Sequence, residues 1–163
     1  MLVECCKNGF EPNTDEWYML EAYREAKRAY NKGECPIGAV IVKDGEIIAR
    51  AHNNKESRKN PLEHAEMVAI RKAASVVGDW RLCDCDMYVT LEPCIMCAGA
   101  LVLSRIRNLY IGARNQKSGA VISVFGILDE VRLNHRVNYY VGLLEKECSK
   151  ILKDFFGELR KKS

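Results

Sequence analysis

The order of the predicted secondary structure elements indicates an α/β fold, a three-layer α-β-α sandwich around a five-stranded mixed sheet. Apolar runs of strand length and segments of helical periodicity follow one another in the order α-β-β-α-β-α-β-β-α. A tight turn joins the first two strands, whereas helices separate most of the later ones. We expect residues 15–163 to form one domain, and residues 1–14 to be a loose lead-in.

The first three elements have clear boundary signals. Thr14 can cap a helix that carries apolar residues at helical spacing and stops near Gly33. Two apolar runs follow, at residues 37–42 and 47–51. The Asp44-Gly45 pair between them predicts a tight hairpin, because both residue types tolerate the backbone conformations of such turns.

The later elements alternate between helix and strand. Residues 53–60 are polar and predict a loop, and Pro61 precedes a helix over residues 63–77. A buried strand at residues 86–91 is broken by Pro93, which presets the first turn of the next helix. The remaining predicted elements are that helix at 94–103, strands at 108–112 and 137–140, an irregular stretch at 113–135 and a last amphipathic helix at 143–159.

Composition excludes some classes of protein. No apolar run approaches the length of a membrane span, and the N-terminus has no secretory signal pattern. A cytoplasmic protein with no membrane partner is therefore expected. The net charge of +3 permits a nucleic-acid partner without arguing for one. The basic residues 160–162 suit the end of a helix, where positive charge is favourable.

The eight cysteines are expected to be thiols. Without a secretory signal the chain stays in a reducing compartment, where clustered cysteines bind metals or act in catalysis.

Two short motifs carry the chemistry, His64-Ala65-Glu66 and Pro93-Cys94-Ile95-Met96-Cys97, each predicted to open a helix. Residues three apart share a helix face, so Cys94 and Cys97 can hold one ion. In a first helical turn, His64 and Glu66 can both lean past the helix end. A site between two helix N-termini satisfies both requirements, and such a position favours thiolates.

The three candidate ligands, His64, Cys94 and Cys97, predict one Zn²⁺ per chain. Three protein ligands leave a fourth tetrahedral position for water, which is typical of a catalytic zinc site. Zinc lowers the pKa of that water to about 7, which supplies hydroxide at neutral pH. Glu66 is then placed as the general acid/base that moves the protons.

Two other interpretations of the cysteines remain. A structural zinc site needs a fourth ligand, for which Cys83 or Cys85 is the candidate, although a buried thiol more often fills apolar space. A redox pair of Cys94 and Cys97 leaves His64 and Glu66 unexplained.

With these motifs, the chain resembles the bacterial tRNA-specific adenosine deaminases of the cytidine deaminase-like superfamily, from about residue 25 to residue 159. The resemblance is carried by the segments 25–26, 38–40, the Asn53 loop, 64–66, 88–100, 104–106, 112–114, 134–137 and 154–156. It implies a single deaminase domain over residues 15–163.

The resemblance also implies a reaction: adenosine at wobble position 34 of a tRNA anticodon is hydrolysed to inosine. Zinc-bound hydroxide attacks C6 and Glu66 shuttles protons. The implied partners are an anticodon stem-loop and a second copy of the chain.

Three further residues are implied to bind substrate: Asn53, Asn115 and Phe156. By residue type alone, Asn53 could instead make a local turn bond. Core packing is expected for at least one of Phe155 and Phe156.

Two residues depart from the family pattern. Asn115 stands where the family usually has Asp, and an amide can donate as well as accept. Glu63 stands where a small apolar residue is common, and it should point away from the substrate. The alternative functions are a deaminase of a free base or nucleotide such as guanine, or a non-catalytic zinc module that binds RNA.

Overall fold

The computed structural model describes residues 9–162, built around one five-stranded mixed sheet. The elements are α1 (Asp15–Asn31), β1 (Gly38–Lys43), β2 (Glu46–His52), α2 (Lys55–Arg58), α3 (Ala65–Val77), β3 (Cys85–Leu91), α4 (Ile95–Leu103), β4 (Asn108–Ala113), a 3-10 turn (Ile127–Asp129), β5 (Asn138–Val141) and α5 (Glu145–Lys162). The predicted α/β fold and its five strands are confirmed. The short helix α2 lies in the predicted polar loop, and the first eight residues of the predicted lead-in lie outside the described part.

The strands lie in the order β2-β1-β3-β4-β5. β1 pairs antiparallel with both β2 and β3, whereas β3, β4 and β5 run parallel. α4 connects the parallel neighbours β3 and β4, and the segment with the 3-10 turn connects β4 to its parallel neighbour β5. This arrangement makes the sheet mixed, as the sequence indicates.

Alternating strand residues bury into two separate cores. Ala39 and Ile41 of β1 join the core formed with α3 and α4, while Val40 and Val42 join the core formed with α1 and α5. Successive side chains of a strand point to opposite faces, so a strand buried on both faces is apolar throughout. This explains the continuous apolar run that predicts β1.

The hairpin between β1 and β2 forms as predicted. Asp44 and Gly45 have φ values of 51° and 79°, so both central residues adopt the left-handed conformation of a two-residue hairpin turn. The strand register shifts between Ile41 and Val42, which marks a bulge beside this turn.

Close approach of helix and sheet requires a glycine at the start of β1. A Cβ atom on Gly38 would lie 2.0 Å from the Ala22 carbonyl oxygen and 2.4 Å from the Ala26 nitrogen. The helix α1 therefore packs with its backbone directly on the sheet, and any larger residue at position 38 would push it away. Within residues 9–162, no helix is both long and apolar enough to span a bilayer.

Candidate active site and metal centre

The two motifs meet because each places a side chain just ahead of a helix. His64 is the N-cap of α3 and Cys94 is the N-cap of α4, both with extended backbone and without a side-chain capping bond. The helices α3 and α4 therefore begin at Ala65 and Ile95, slightly later than predicted, and Pro93 precedes the N-cap residue of α4. The side chains of His64 and Cys94 are consequently free to face the space between the two helix ends.

The three predicted ligands converge in the structure. His64 Nδ1 lies 3.6 Å from Cys94 Sγ and 3.6 Å from Cys97 Sγ, and all three ligand atoms lie within 4.8 Å of one another. Tetrahedral zinc, with Zn–S of about 2.3 Å and Zn–N of about 2.0 Å, places such atoms roughly 3.6 Å apart. The spacing of these donors thus fits a zinc ion.

The two thiols and the His64 ring interact directly with one another. A hydrogen bond from the Cys97 thiol, with a second from His64, lowers the pKa of Cys94 to about 3. Donation to Cys94 and burial raise the pKa of Cys97 far above its ordinary value. The sequence predicts a thiolate at both positions, but adjacent thiolates repel each other. A divalent cation between them would stabilise the second thiolate.

Glu66 is a buried carboxylate with an unused acceptor. Its residue is 4 % exposed, and its Oε2 atom has no hydrogen-bond partner among the described residues. Burial raises the pKa of Glu66 to about 7. A buried carboxylate oxygen without a partner is costly, so the arrangement fits a group that hydrogen-bonds to a water molecule or substrate. It also favours a catalytic centre over an inert zinc module.

These residues open onto one cavity of about 340 Å³. This volume lies within the roughly 300–1,000 Å³ typical of small-molecule sites. His64, Glu66 and Cys94 line the cavity together with Asn53, Asn115 and Phe156. The structure therefore brings the predicted catalytic, metal-ligating and substrate-binding residues around one space, except that Cys97 is fully buried behind it.

Asn53 and Phe156 reach the cavity from distant parts of the chain, the segment after β2 and the helix α5. Asn53 is 4 % exposed and donates from Nδ2 to Glu34 Oε2 over 3.2 Å, which is a contact with a distant residue and not a local turn bond. Phe156 is 44 % exposed, whereas its neighbour Phe155 is buried against Tyr30 with ring centroids 5.6 Å apart. One phenylalanine of the pair therefore packs in the core, as expected, and the other is available at the cavity.

Asn115 belongs to a loop that Glu92 organises. The buried Glu92 carboxylate accepts hydrogen bonds from the backbone N–H groups of Asn115, Val121, Ile122 and Ser123. The Asn115 amide bonds within its own loop, donating to Ser118 Oγ over 2.9 Å and accepting from the Ser118 backbone over 3.2 Å. The donation requires an amide, because a carboxylate cannot donate. Asn115 therefore rigidifies the loop at the cavity.

The alternative zinc ligands Cys83 and Cys85, and the unusual acid Glu63, lie outside the site. Cys85 is buried in the sheet core and Cys83 is exposed, and neither joins the converging ligand atoms of the described residues. Glu63 pairs with Arg71 Nη1 over 2.8 Å and does not line the cavity. It thus points away from the cavity, as expected.

Several residues that line the cavity are not predicted from the sequence. They are Cys35, Ile37, Lys55, Leu91, Lys117 and Ser118. Nothing in their local sequence marks them, because the cavity is assembled from segments far apart in the chain. Glu92 does stand in the segment that carries the family resemblance, but its role depends on a loop more than twenty residues later.

Comparison with known proteins decides the family. The model of the MafB19-like deaminases matches residues 13–160. The chain belongs to this deaminase family. A tRNA-specific adenosine deaminase of Bacillus subtilis is 52 % identical over 148 residues, which are 91 % of the chain and 92 % of the relative. The predicted family of tRNA-specific adenosine deaminases is thereby confirmed.

Solved structures of related deaminases share the fold. A structure from a study of A-to-I editing by tRNA:A34 deaminases at the wobble position of transfer RNA has a TM-score of 0.80 and 44 % identity, covering 83 % of the chain and 98 % of the other. A guanine deaminase from Bacillus subtilis has a TM-score of 0.61 and 32 % identity, covering 91 % and 94 %. Both tRNA and free-base deaminases therefore share this architecture.

Proposed function

We propose that the chain hydrolyses adenosine to inosine at wobble position 34 of tRNA anticodons, with one zinc ion held by His64, Cys94 and Cys97. The main evidence for the reaction is the buried oxygen of Glu66, which has no hydrogen-bond partner within residues 9–162 and lies beside three converging candidate zinc donors. When bound, zinc would activate water for attack at C6 of the base. The tRNA substrate is supported by the 52 % identical relative.

Glu66 moves the protons of the reaction. Its carboxylate takes a proton from the attacking water and delivers it to the leaving amine, so that water and adenosine become inosine and ammonia. Burial gives Glu66 a pKa of about 7, and a group with a pKa near the working pH can both accept and donate. His64 and the two cysteines hold the metal and take no proton in this step.

The surroundings of the cavity suit a nucleotide within RNA. Lys55 and Lys117 line the cavity and supply positive charge where the backbone of a polynucleotide would pass. Phe156 exposes an aromatic ring on which an unpaired base can stack. Asn53 and Asn115 complete the polar lining and would orient the flipped nucleoside. The reaction would take place in the cytoplasm, where tRNAs are used.

The substrate is tested by incubating the zinc-loaded protein with an anticodon stem-loop that carries adenosine at position 34. We expect conversion to inosine, read as an A-to-G change on sequencing, and no conversion of a stem-loop with adenosine only at neighbouring positions. Guanine is the competing substrate, because a guanine deaminase is 32 % identical over most of the chain. Efficient release of ammonia from guanine, with an unchanged stem-loop, would replace the proposed substrate.

We also propose that the protein is a homodimer. Exposed apolar side chains occur on α4 and on the segment that follows β4, whose 3-10 turn contacts α4, and grouped exposed apolar side chains are typical of an interaction surface. They are Ile95, Leu103, Ile122, Val124, Phe125, Val131 and Leu133. A second copy that covers this surface would remove these side chains from water.

Light scattering after gel filtration tests the dimer. We expect twice the chain mass of 18.5 kDa, and a shift toward the monomer for Phe125→Glu, because a buried charge at the interface is costly. Val76→Glu is the matched control, since Val76 is also exposed but lies on α3. A monomeric wild-type protein at micromolar concentration would contradict the proposal.

A further inference from the structure

Glu34 is a buried carboxylate that lies next to the cavity without lining it. It is 1 % exposed and follows α1 in the chain. Its oxygens accept hydrogen bonds from Asn53 Nδ2 over 3.2 Å, from the Glu56 backbone N–H over 3.2 Å and from the Ser57 backbone N–H over 2.6 Å. The Asn53 donor directly follows β2, and the Glu56 and Ser57 donors lie in α2.

This carboxylate replaces the missing cap of α2. Asn54 is the N-cap residue of α2, yet it makes no side-chain capping bond. The first N–H groups of a helix have no partner within the helix, and two of them point to Glu34 instead. Burial alone would raise the pKa of Glu34, but the bonds from Ser57 and Glu56 hold it below its ordinary value. The residue is therefore ionised at neutral pH and anchors the loop.

The same carboxylate fixes the amide of Asn53. A carboxylate can only accept hydrogen bonds, so Asn53 must turn its NH₂ group toward Glu34. This bond determines which side of the amide carries the NH₂ group, so the Asn53 carbonyl oxygen lies on the side away from Glu34. Asn53 therefore meets a ligand in the cavity in a preset orientation, and Lys55, in the first turn of α2, is held at the cavity as well.

We propose that Glu34 is a positioning residue for the deamination, which holds Asn53 and the start of α2 at the cavity so that the nucleoside binds in the reactive orientation. The proposal rests on the proposed function for its substrate. Glu34 acts through Asn53 and touches neither the substrate nor the metal ligands. Its loss would misplace the substrate while leaving the metal centre and Glu66 intact.

The test compares Glu34→Gln with the wild-type protein on the anticodon stem-loop. We expect kcat/KM to fall on the order of 10- to 100-fold, through a higher KM because Asn53 is less well held and through a lower kcat because the bound nucleoside is misplaced. Zinc content stays at the wild-type level. The matched control is Glu21→Gln, which also removes a buried carboxylate, one that pairs with Arg24 and Arg50 away from the cavity. We expect this control to retain the wild-type KM.

A double-mutant cycle separates positioning from a merely structural role. In the Asn53→Ala background, Glu34→Gln should lower kcat/KM much less than in the wild type, because Glu34 has lost the residue through which it acts. Glu34→Asp keeps the charge but is one methylene shorter. Its KM should lie between those of the wild type and Glu34→Gln. This variant carries the test if Glu34→Gln does not fold.

Two outcomes would overturn the proposal. One is equal fold-losses from Glu34→Gln in both backgrounds, and the other is a KM for Glu34→Gln and Glu34→Asp no higher than that of Glu21→Gln. Failure of the proposed function gives a different result, namely wild-type protein that converts guanine and leaves the stem-loop unchanged. The same variants, compared on guanine, would then still decide the role of Glu34.

Discussion

Glu66→Gln is expected to lower kcat by on the order of 10²- to 10⁴-fold while zinc content stays at about one ion per chain. Glutamine has nearly the shape of glutamate but cannot take a proton from water at neutral pH. Glu66 is also buried, with one oxygen that finds no partner in the described part of the chain, so this oxygen is available to accept a hydrogen bond from water. Single-turnover rates with the stem-loop, together with metal analysis of the same preparation, measure both quantities.

The adjacent acid Glu63 provides the control. It is also buried, but it pairs with Arg71 and lies outside the cavity lining. Glu63→Gln should therefore keep a turnover rate near that of the wild type, apart from a modest loss of stability. If Glu66→Gln instead retained the wild-type rate, another group would have to move the proton.

Replacing any of the three donors is expected to remove the metal and, with it, the activity. Cys94→Ser, Cys97→Ser and His64→Ala should each reduce zinc from about one ion per chain to nearly none after gel filtration, because two remaining protein ligands hold zinc far more weakly than three. The two thiols stand 3.6 Å from the His64 ring nitrogen, so each contributes directly to the site. Metal analysis and turnover are measured on the same samples.

The thiols outside the cluster supply the control for this series. Cys83→Ser changes an exposed residue and Cys85→Ala changes a buried residue of the sheet core. Both should keep a full complement of zinc. Loss of zinc from either variant would show a fourth protein ligand, hence a structural site without an open position for water. Folded and active protein that contains no zinc would refute the metal model altogether.

The two series fail in different ways, which makes them informative together. A zinc-ligand variant loses metal and turnover at once, whereas Glu66→Gln loses turnover alone. A chain that bound zinc only for stability would show the first pattern without the second. The Glu66 result therefore distinguishes a catalytic zinc centre from a structural zinc site, whereas a module that only binds RNA would show no turnover even as the wild-type protein.

Local sequence predicts the features that depend on neighbours in the chain. The Asp44-Gly45 hairpin forms because two adjacent residues accept positive φ values. Thr14 caps α1 by accepting a hydrogen bond from the Trp17 backbone. The candidate metal ligands His64, Cys94 and Cys97 could likewise be predicted from short motifs at two helix starts. The pKa of Cys97, by contrast, is raised by its hydrogen bond to Cys94 and by burial, and both causes depend on the tertiary structure.

The sequence by itself predicted the fold class, the three candidate zinc donors that converge in the structure and the buried acid beside them, because each follows from residue type and short-range spacing. Only the tertiary structure showed which buried acids bind the backbone of the loops that line the cavity. Glu34 reaches the loop after β2, and Glu92 reaches the loop after β4, across some twenty to thirty residues. The hydrophobic periodicity of the sequence does not predict such contacts, because the backbone donors that stabilise these buried carboxylates come close only in the folded chain.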